Sequence, residues 1–133
     1  YMASYENPGV FVLDYVPNAT KEHIDERAEK FFRILRDAHP DVPVVFVELP
    51  NYPPRRFDKG ADRNSRGRNE AQRRVYDKLR KAGEKNIFYI SSEGMLGDDG
   101  EATVDGTHFT DLGMMRYVDH VFPTIRKALS KNK

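Results

Sequence analysis

Residues 42–49, with the sequence VPVVFVEL, decide the fold prediction. The run is too short for a buried helix, and its β-branched and aromatic residues favour a strand. It is apolar on both faces, which is typical of a parallel strand covered by helices on both sides. Residues 10–16 (VFVLDYV) and 86–91 (NIFYIS) have the same character. We therefore predict three buried, parallel strands.

Segments of helical period separate and follow these strands. Residues 20–38, 65–82 and 110–129 carry apolar side chains at steps of three and four, with charged residues between them. Thr20 and Thr110 are typical N-cap residues, Gly83 a typical stop, and Pro123 should kink or break the third helix. The third helix should bury one apolar face, formed by Leu112, Met115, Val118, Phe122, Ile125 and Leu129.

The element order βαβαβα predicts an α/β fold. Right-handed crossovers between the strands give a parallel sheet with helices packed on it. In such a sheet the functional site lies beyond the carboxyl ends of the strands. The loops at that edge are residues 17–19, 50–64 and 92–109, and the last two are longer than strand-to-helix loops usually are. A site at this edge is therefore expected.

Length and composition bound the possibilities further. The chain has 133 residues, which predicts one domain, with 22 Lys and Arg against 21 Asp and Glu. Zero cysteines exclude a disulfide scaffold, a thiolate metal site and a cysteine nucleophile, and leave the compartment open. No apolar run approaches the length that spans a bilayer, so we predict no membrane span. We also expect no metal and no cofactor.

The near-zero net charge hides an uneven distribution. Residues 55–81 hold eleven basic and four acidic residues, whereas residues 86–115 hold six acidic residues and no Lys or Arg. A nucleic-acid-binding domain could use the basic stretch, with Tyr52 and Phe57 as stacking groups. A solvated helix face is the more ordinary interpretation, and the total charge favours it.

Two features could carry chemistry. Asp105 and His108 lie three residues apart in DGTH, just before Thr110, where a carboxylate can orient an imidazole that acts as a base. Asn18 follows the first strand, where its amide could donate to a developing oxyanion. Each pattern also occurs as an ordinary turn, so the residues alone leave both interpretations open.

Together these features resemble the SGNH or GDSL-type esterase and lipase family. The segments that carry the resemblance are residues 10–18 (VFVLDYVPN), 44–50 (VVFVELP) and 105–113 (DGTHFTDLG). The resemblance implies a flavodoxin-like, three-layer α/β/α fold. It extends over residues 1–133 but matches only the C-terminal part of that family's single domain.

The resemblance also implies roles. His108 would be the general base, Asp105 its orienting carboxylate, and Asn18 a side-chain donor of the oxyanion hole. The family's nucleophile is a serine in an early G-D-S block, followed by a second block with a glycine donor, and this sequence contains neither. The family pattern also expects Gly where Val16 stands and Asp where Ala19 stands.

An internal nucleophile is not evident. Ser91 and Ser92 end the third predicted strand at the expected site, but no strained G-x-S-x-G turn surrounds them. We therefore expect serine-dependent hydrolysis of small carboxylic esters, by family analogy those of carbohydrates, with this chain alone inactive. Tyr52 and Arg55 are candidates for binding the substrate.

Two further expectations concern a partner for the sheet edge and an alternative function. A small parallel sheet leaves an apolar strand edge uncovered, which a missing N-terminal segment or a second copy in a homodimer should cover. A non-catalytic α/β binding or assembly module remains the alternative function.

Overall fold

Three parallel strands and three helices form the computed structural model, which describes residues 1–52 and 57–131. The strands are β1 (Phe11–Leu13), β2 (Val44–Val47) and β3 (Ile87–Ile90), in the order β1-β2-β3. The helices are α1 (Lys21–Ala38), α2 (Lys59–Lys81) and α3 (Asp111–Ser130). The predicted α/β class and parallel sheet are confirmed.

The sheet lies between two helical layers. Phe46 of β2 contacts Phe32 of α1 and Tyr76 of α2, so these helices cover one face. Helix α3 contacts β2 and β3 on the other face, where Lys131 lies over the ring of Phe88. Strand β2 is buried at all four positions because both layers cover it. The site-bearing loops are thus anchored to a close-packed core.

Capping residues fix where the helices begin. Thr20 accepts a hydrogen bond from the backbone N–H of His23, and Thr110 accepts one from Gly113, as predicted. Helix α2 begins at Lys59, six residues before its predicted start, because Asp58 accepts from the N–H groups of Gly60 and Ala61. Its first turns are too polar to show a helical period.

Helix α3 departs from its prediction in two respects. It continues through Pro123, so the expected break does not occur. Its predicted apolar face is also mostly exposed: Ile125 is partly buried, but five others are 41% to 65% exposed, namely Leu112, Met115, Val118, Phe122 and Leu129. The helix instead packs through Val121 and Ala128, and the predicted face has no cover within the described residues.

The sheet is open at β1. Phe11 and Leu13 are buried against α1, whereas Val12, on the α3 side, is 36% exposed. No strand of residues 1–52 or 57–131 pairs with the outer edge of β1. The described residues therefore leave both the outer edge of β1 and the apolar side of α3 uncovered. None of the described helices is long and apolar enough to cross a membrane.

Candidate active site

Asp105 and His108 form a hydrogen-bonded pair on the loop between β3 and α3. The carboxylate Oδ2 lies 2.6 Å from the imidazole Nδ1, and Oδ1 accepts from the backbone N–H of His108 at 2.8 Å and of Thr107 at 2.9 Å. Both side chains are largely exposed, with 78% of His108 accessible. The pair therefore stands at the surface, where a substrate could reach it.

The contact with Asp105 selects the tautomer of the neutral ring. With Nδ1–H donating to the carboxylate, the lone pair of Nε2 is available as a base. Within the described residues Nε2 has no hydrogen-bond partner. The bonds from His108, first from its backbone N–H and then from its ring, lower the pKa of Asp105 to about 2. The carboxylate is thus ionised at neutral pH and can stabilise an imidazolium.

Backbone contacts close the loop that holds this pair. Val104 N–H donates to the carbonyl of His108, and Thr110 N–H donates to that of Ala102. The first turn of α3 then lies so close to the loop that a Cβ on Gly113 would meet the carbonyl oxygen of Ala102 at 2.0 Å. Only glycine fits there, which explains its place in DGTHFTDLG.

Tyr117 joins this loop to the carboxyl end of β1. Its ring centre lies 5.4 Å from that of Phe109, the neighbour of His108, and its hydroxyl donates to Asp14 at 2.6 Å. Burial, followed by the bond to Asp14, raises the pKa of Tyr117. Asp14 lies just beyond β1, and this bond gives its exposed carboxylate a partner.

Asn18 ends the short 3-10 segment Val16–Asn18 that follows β1. Its side chain is exposed and makes no hydrogen bond within the described residues, so its amide is available to a ligand. The segment is held by Arg68 of α2, which donates to the carbonyl of Pro17 at 3.2 Å. No hydrogen bond joins Asn18 to Asp105 or His108 across residues 1–52 and 57–131.

A buried carboxylate network lies beside the site, and no sequence pattern predicted it. Glu48, directly after β2, is 9% exposed. It accepts from the Tyr89 hydroxyl at 2.7 Å and from the N–H and Oγ of Ser92 at 2.8 and 2.9 Å. Asn69 of α2 pairs with both backbone groups of Leu49. The network fastens β2, β3 and α2 together where the β3–α3 loop begins.

This network forms the floor of a polar cleft of about 890 Å³. Tyr52, a predicted substrate residue, lines the cleft and is 7% exposed. Asp105, His108 and Asn18 do not line the cleft. Arg55 falls outside the described residues.

The serines do not lie against His108. The Ser92 hydroxyl is buried and donates to Glu48. Those of Ser4, Ser65 and Ser130 donate to backbone carbonyls. The Ser91 carbonyl contacts His120 Nε2 at 2.8 Å. No serine hydroxyl in the described part of the chain is hydrogen-bonded to His108.

Comparisons with known proteins identify the family of the chain. Residues 2–126 match the model of the GDSL-like lipase/acylhydrolase family. A crystal structure from Bacteroides ovatus ATCC 8483, described as a GDSL-like lipase, superposes with a TM-score of 0.91 at 35% identity. That match covers 97% of this chain and 38% of the relative, so the chain spans well under half of the relative's length. No curated protein matches. The chain belongs to the GDSL-like lipase/acylhydrolase family.

Proposed function

We propose that this chain is the C-terminal part of a single SGNH-like domain that hydrolyses carboxylic esters through a serine supplied from outside residues 1–133. The observation that carries the proposal is the 2.6 Å contact between Asp105 and His108, with Nε2 left available. Membership of the acylhydrolase family supports the same reaction class.

The first half of the reaction would acylate the serine. His108 Nε2 takes the serine proton as Oγ attacks the acyl carbonyl, and Asp105 stabilises the imidazolium. The Asn18 amide donates to the oxyanion that forms. When this tetrahedral intermediate collapses, the bond to the alcohol oxygen breaks, and His108 returns its proton to that oxygen.

The second half would release the acid. Nε2 takes a proton from water as the water oxygen attacks the acyl carbon, and the acyl–Oγ bond breaks with proton return to the serine. The exposed position of His108 suits this step because water reaches the ring directly. A serine, a base and an oxyanion donor act as a unit, so this chain alone would give little covalent catalysis.

The uncovered end of the sheet supports a serine-bearing segment from outside the chain. Such a segment would pair with the free edge of β1 and cover the apolar stripe on α3 formed by Leu112, Met115, Val118, Phe122 and Leu129. An exposed stripe of this size is a typical interaction surface. It begins beside Asp111, within the turn that follows His108, so the covering segment would lie next to the base.

The polar cleft supports carbohydrate esters as the substrate class. Its lining mixes acids with arginines and amides, so it can both donate hydrogen bonds to hydroxyls and accept them. Tyr52 supplies a buried aromatic wall of the cleft. We propose that the sugar part of the alcohol lies in this cleft, beside Tyr52, and that the acyl carbonyl lies toward Asn18.

The rival functions receive less support. Four cations of the basic stretch are already within ion-pair distance of acids: Arg66 with Asp62, Arg73 with Glu48, Arg74 with Asp25, and Lys78 with Glu29. That arrangement favours a structural use of α2 over nucleic-acid binding. The intact Asp105–His108 pair argues against a module that lost its activity.

Hydrolysis of aryl acetates tests the proposal. The purified 133-residue chain should give no turnover above buffer, and the longer polypeptide that joins it to its serine-bearing segment should be active. His108→Ala should remove the activity of the longer form, and His23→Ala, on the exposed start of α1, is the matched control. Robust turnover by the chain alone would overturn the proposal that the serine lies outside residues 1–133.

A further inference from the structure

The outer edge of β3 lies in a groove of about 480 Å³ between α2 and α3. The sheet order ends at β3, and no other strand of the described residues pairs with that edge. The carbonyls of Asn86 and Ile90 accept from Val44 and Glu48 of the β2 side. Because strand groups alternate, the backbone N–H and C=O of Ile87 and Tyr89 face the groove.

Two helices present matching faces to this edge. Helix α2 contributes Arg73, Tyr76 and Arg80, and α3 contributes Thr124, Lys127 and Lys131. Each set has the spacing i, i+3 or i+4, i+7, which places its members on one helix face. The edge strand is therefore bordered by side chains of both helices from Asn86 to Tyr89.

The charge of the groove has one sign. Its cations are Arg73, Arg80, Lys127 and Lys131, and no acidic residue lines it among the described residues. Arg73 also lies 3.7 Å from Glu48 of the neighbouring cleft, so Arg80 and the two lysines carry most of the charge that a ligand would meet. The cations stand over aromatic rings of β3 itself. Arg73 lies 3.5 Å from the centre of the Tyr89 ring, and Lys131 lies 5.6 Å from that of Phe88. The two cations thus occupy opposite faces of the same edge.

We propose that this groove binds an acidic peptide segment that adds to β3 as an extra strand. Main-chain bonds to Ile87 and Tyr89 would fix the peptide, as in other cases of strand addition. Its side chains would alternate between the α2 face and the α3 face. Carboxylates on both faces would then meet Arg80 on one side, and Lys127 and Lys131 on the other.

The dimensions agree with an extended ligand. Lys127 and Lys131 are about 6 Å apart along the helix axis. Alternate side chains of a strand are about 7 Å apart. Consecutive carboxylates on one face can therefore meet consecutive lysines. The inference does not depend on ester hydrolysis, since the groove lies along the strand rather than at its carboxyl end.

The test uses a fluorescein-labelled eight-residue peptide of Glu and Thr, with Glu at both odd and even positions, and the 133-residue chain. Anisotropy should report binding that weakens with salt, and the amide signals of Ile87 and Tyr89 should shift. The same peptide with N-methyl groups at alternate residues keeps its charge but cannot form the main-chain hydrogen bonds to Ile87 and Tyr89. It should bind about tenfold or more weakly.

Lys127→Glu with Lys131→Glu should weaken binding about tenfold or more. Lys21→Glu with Lys30→Glu on exposed α1 positions makes the same change in net charge and should have no such effect. Lys127→Gln with Lys131→Gln serves if charge reversal impairs folding. Four results would each overturn the proposal. Two concern the peptide: no binding at low salt, or equal binding by the N-methylated peptide. The third is tighter binding of a sulfated oligosaccharide or oligonucleotide of equal charge. The fourth is self-association of the Lys127/Lys131 double variants when the unsubstituted chain binds no peptide.

Discussion

Asp105 holds His108 through two different groups of that residue: Oδ1 accepts its backbone N–H at 2.8 Å, and Oδ2 contacts its ring Nδ1 at 2.6 Å. One carboxylate thereby fixes both the loop and the tautomer of the ring. The two effects can be separated, because a substitution that keeps the first bond can remove the second.

Asp105→Asn makes that separation. The amide oxygen can still accept the backbone N–H of His108, but its NH₂ group favours the wrong ring tautomer. We expect kcat of the complete enzyme to fall by about 10² to 10⁴-fold, with KM little changed. Asp99→Asn is the matched control, because Asp99 is a carboxylate of the same loop that pairs with Arg116. An equal loss in both variants would contradict the role given to Asp105.

The pKa of Asp105 gives a prediction on acid stability. Because the folded pKa, about 2, lies below the ordinary value, the carboxylate stabilises the fold above about pH 4, and this contribution is lost as pH falls toward 2. NMR titration of the carboxyl carbon should show the low value. In His108→Ala the pKa should rise but stay below the ordinary value, since the backbone N–H bond, the larger cause, remains. An ordinary pKa of Asp105 in the unsubstituted chain would contradict its hydrogen-bonded pairing with His108.

Asn18 should matter for catalysis and not for stability. Asn18→Ala removes the proposed oxyanion donor, and kcat should fall by about 10² to 10³-fold in the complete enzyme. The melting temperature should not change, because the exposed side chain makes no hydrogen bond within the described residues. Glu6→Ala, at another exposed loop position, controls for general effects on activity. A drop in stability that accounts for the lost activity would contradict the assignment.

Glu48, in contrast to Asn18, should matter for the stability of the fold. Glu48→Ala leaves the buried N–H of Ser92 and the Tyr89 hydroxyl without their acceptor, and we expect the free energy of unfolding to fall by about 2 to 4 kcal/mol. Burial and the Glu48 carboxylate both raise the pKa of Tyr89, so that pKa should fall in the variant. Urea unfolding and ultraviolet titration measure the two effects. Glu26→Ala, on an exposed face of α1, should change neither.

The apolar stripe on α3 should make the isolated chain associate. Met115→Lys with Phe122→Lys should reduce binding of a hydrophobic dye and self-association without loss of stability, because both side chains are more than half exposed. Val121→Lys, on the buried side of the same helix, should unfold the chain. Unchanged dye binding in the double variant would show that the stripe is not a contact surface.

The sequence predicted much of the fold because its strongest signals are local. Strand β2 is apolar on both faces and lies at the centre of the sheet, where both faces are covered. The caps at Thr20 and Thr110 need only three residues to be recognised. The start of α2 was missed because its first turns are polar, and the exposed stripe of α3 was missed because periodicity shows which side is apolar but not whether anything covers it.

The candidate site was predictable only in part. Asp105 and His108 are three residues apart, so their contact could be expected from spacing. Glu48, Tyr89 and Ser92 come together from two strands and were not connected by any sequence pattern. The one available signal was a carboxylate that directly follows the apolar run of β2, at a position that must be buried and therefore paired.

Covalent labelling by a fluorophosphonate, read by intact mass and peptide mapping, shows directly where the nucleophilic serine lies. We expect no adduct on the 133-residue chain. The longer polypeptide should carry one adduct per molecule, at a serine outside residues 1–133, with labelling abolished by His108→Ala. An adduct on Ser91, Ser92 or any other serine of this chain would contradict a serine supplied from outside.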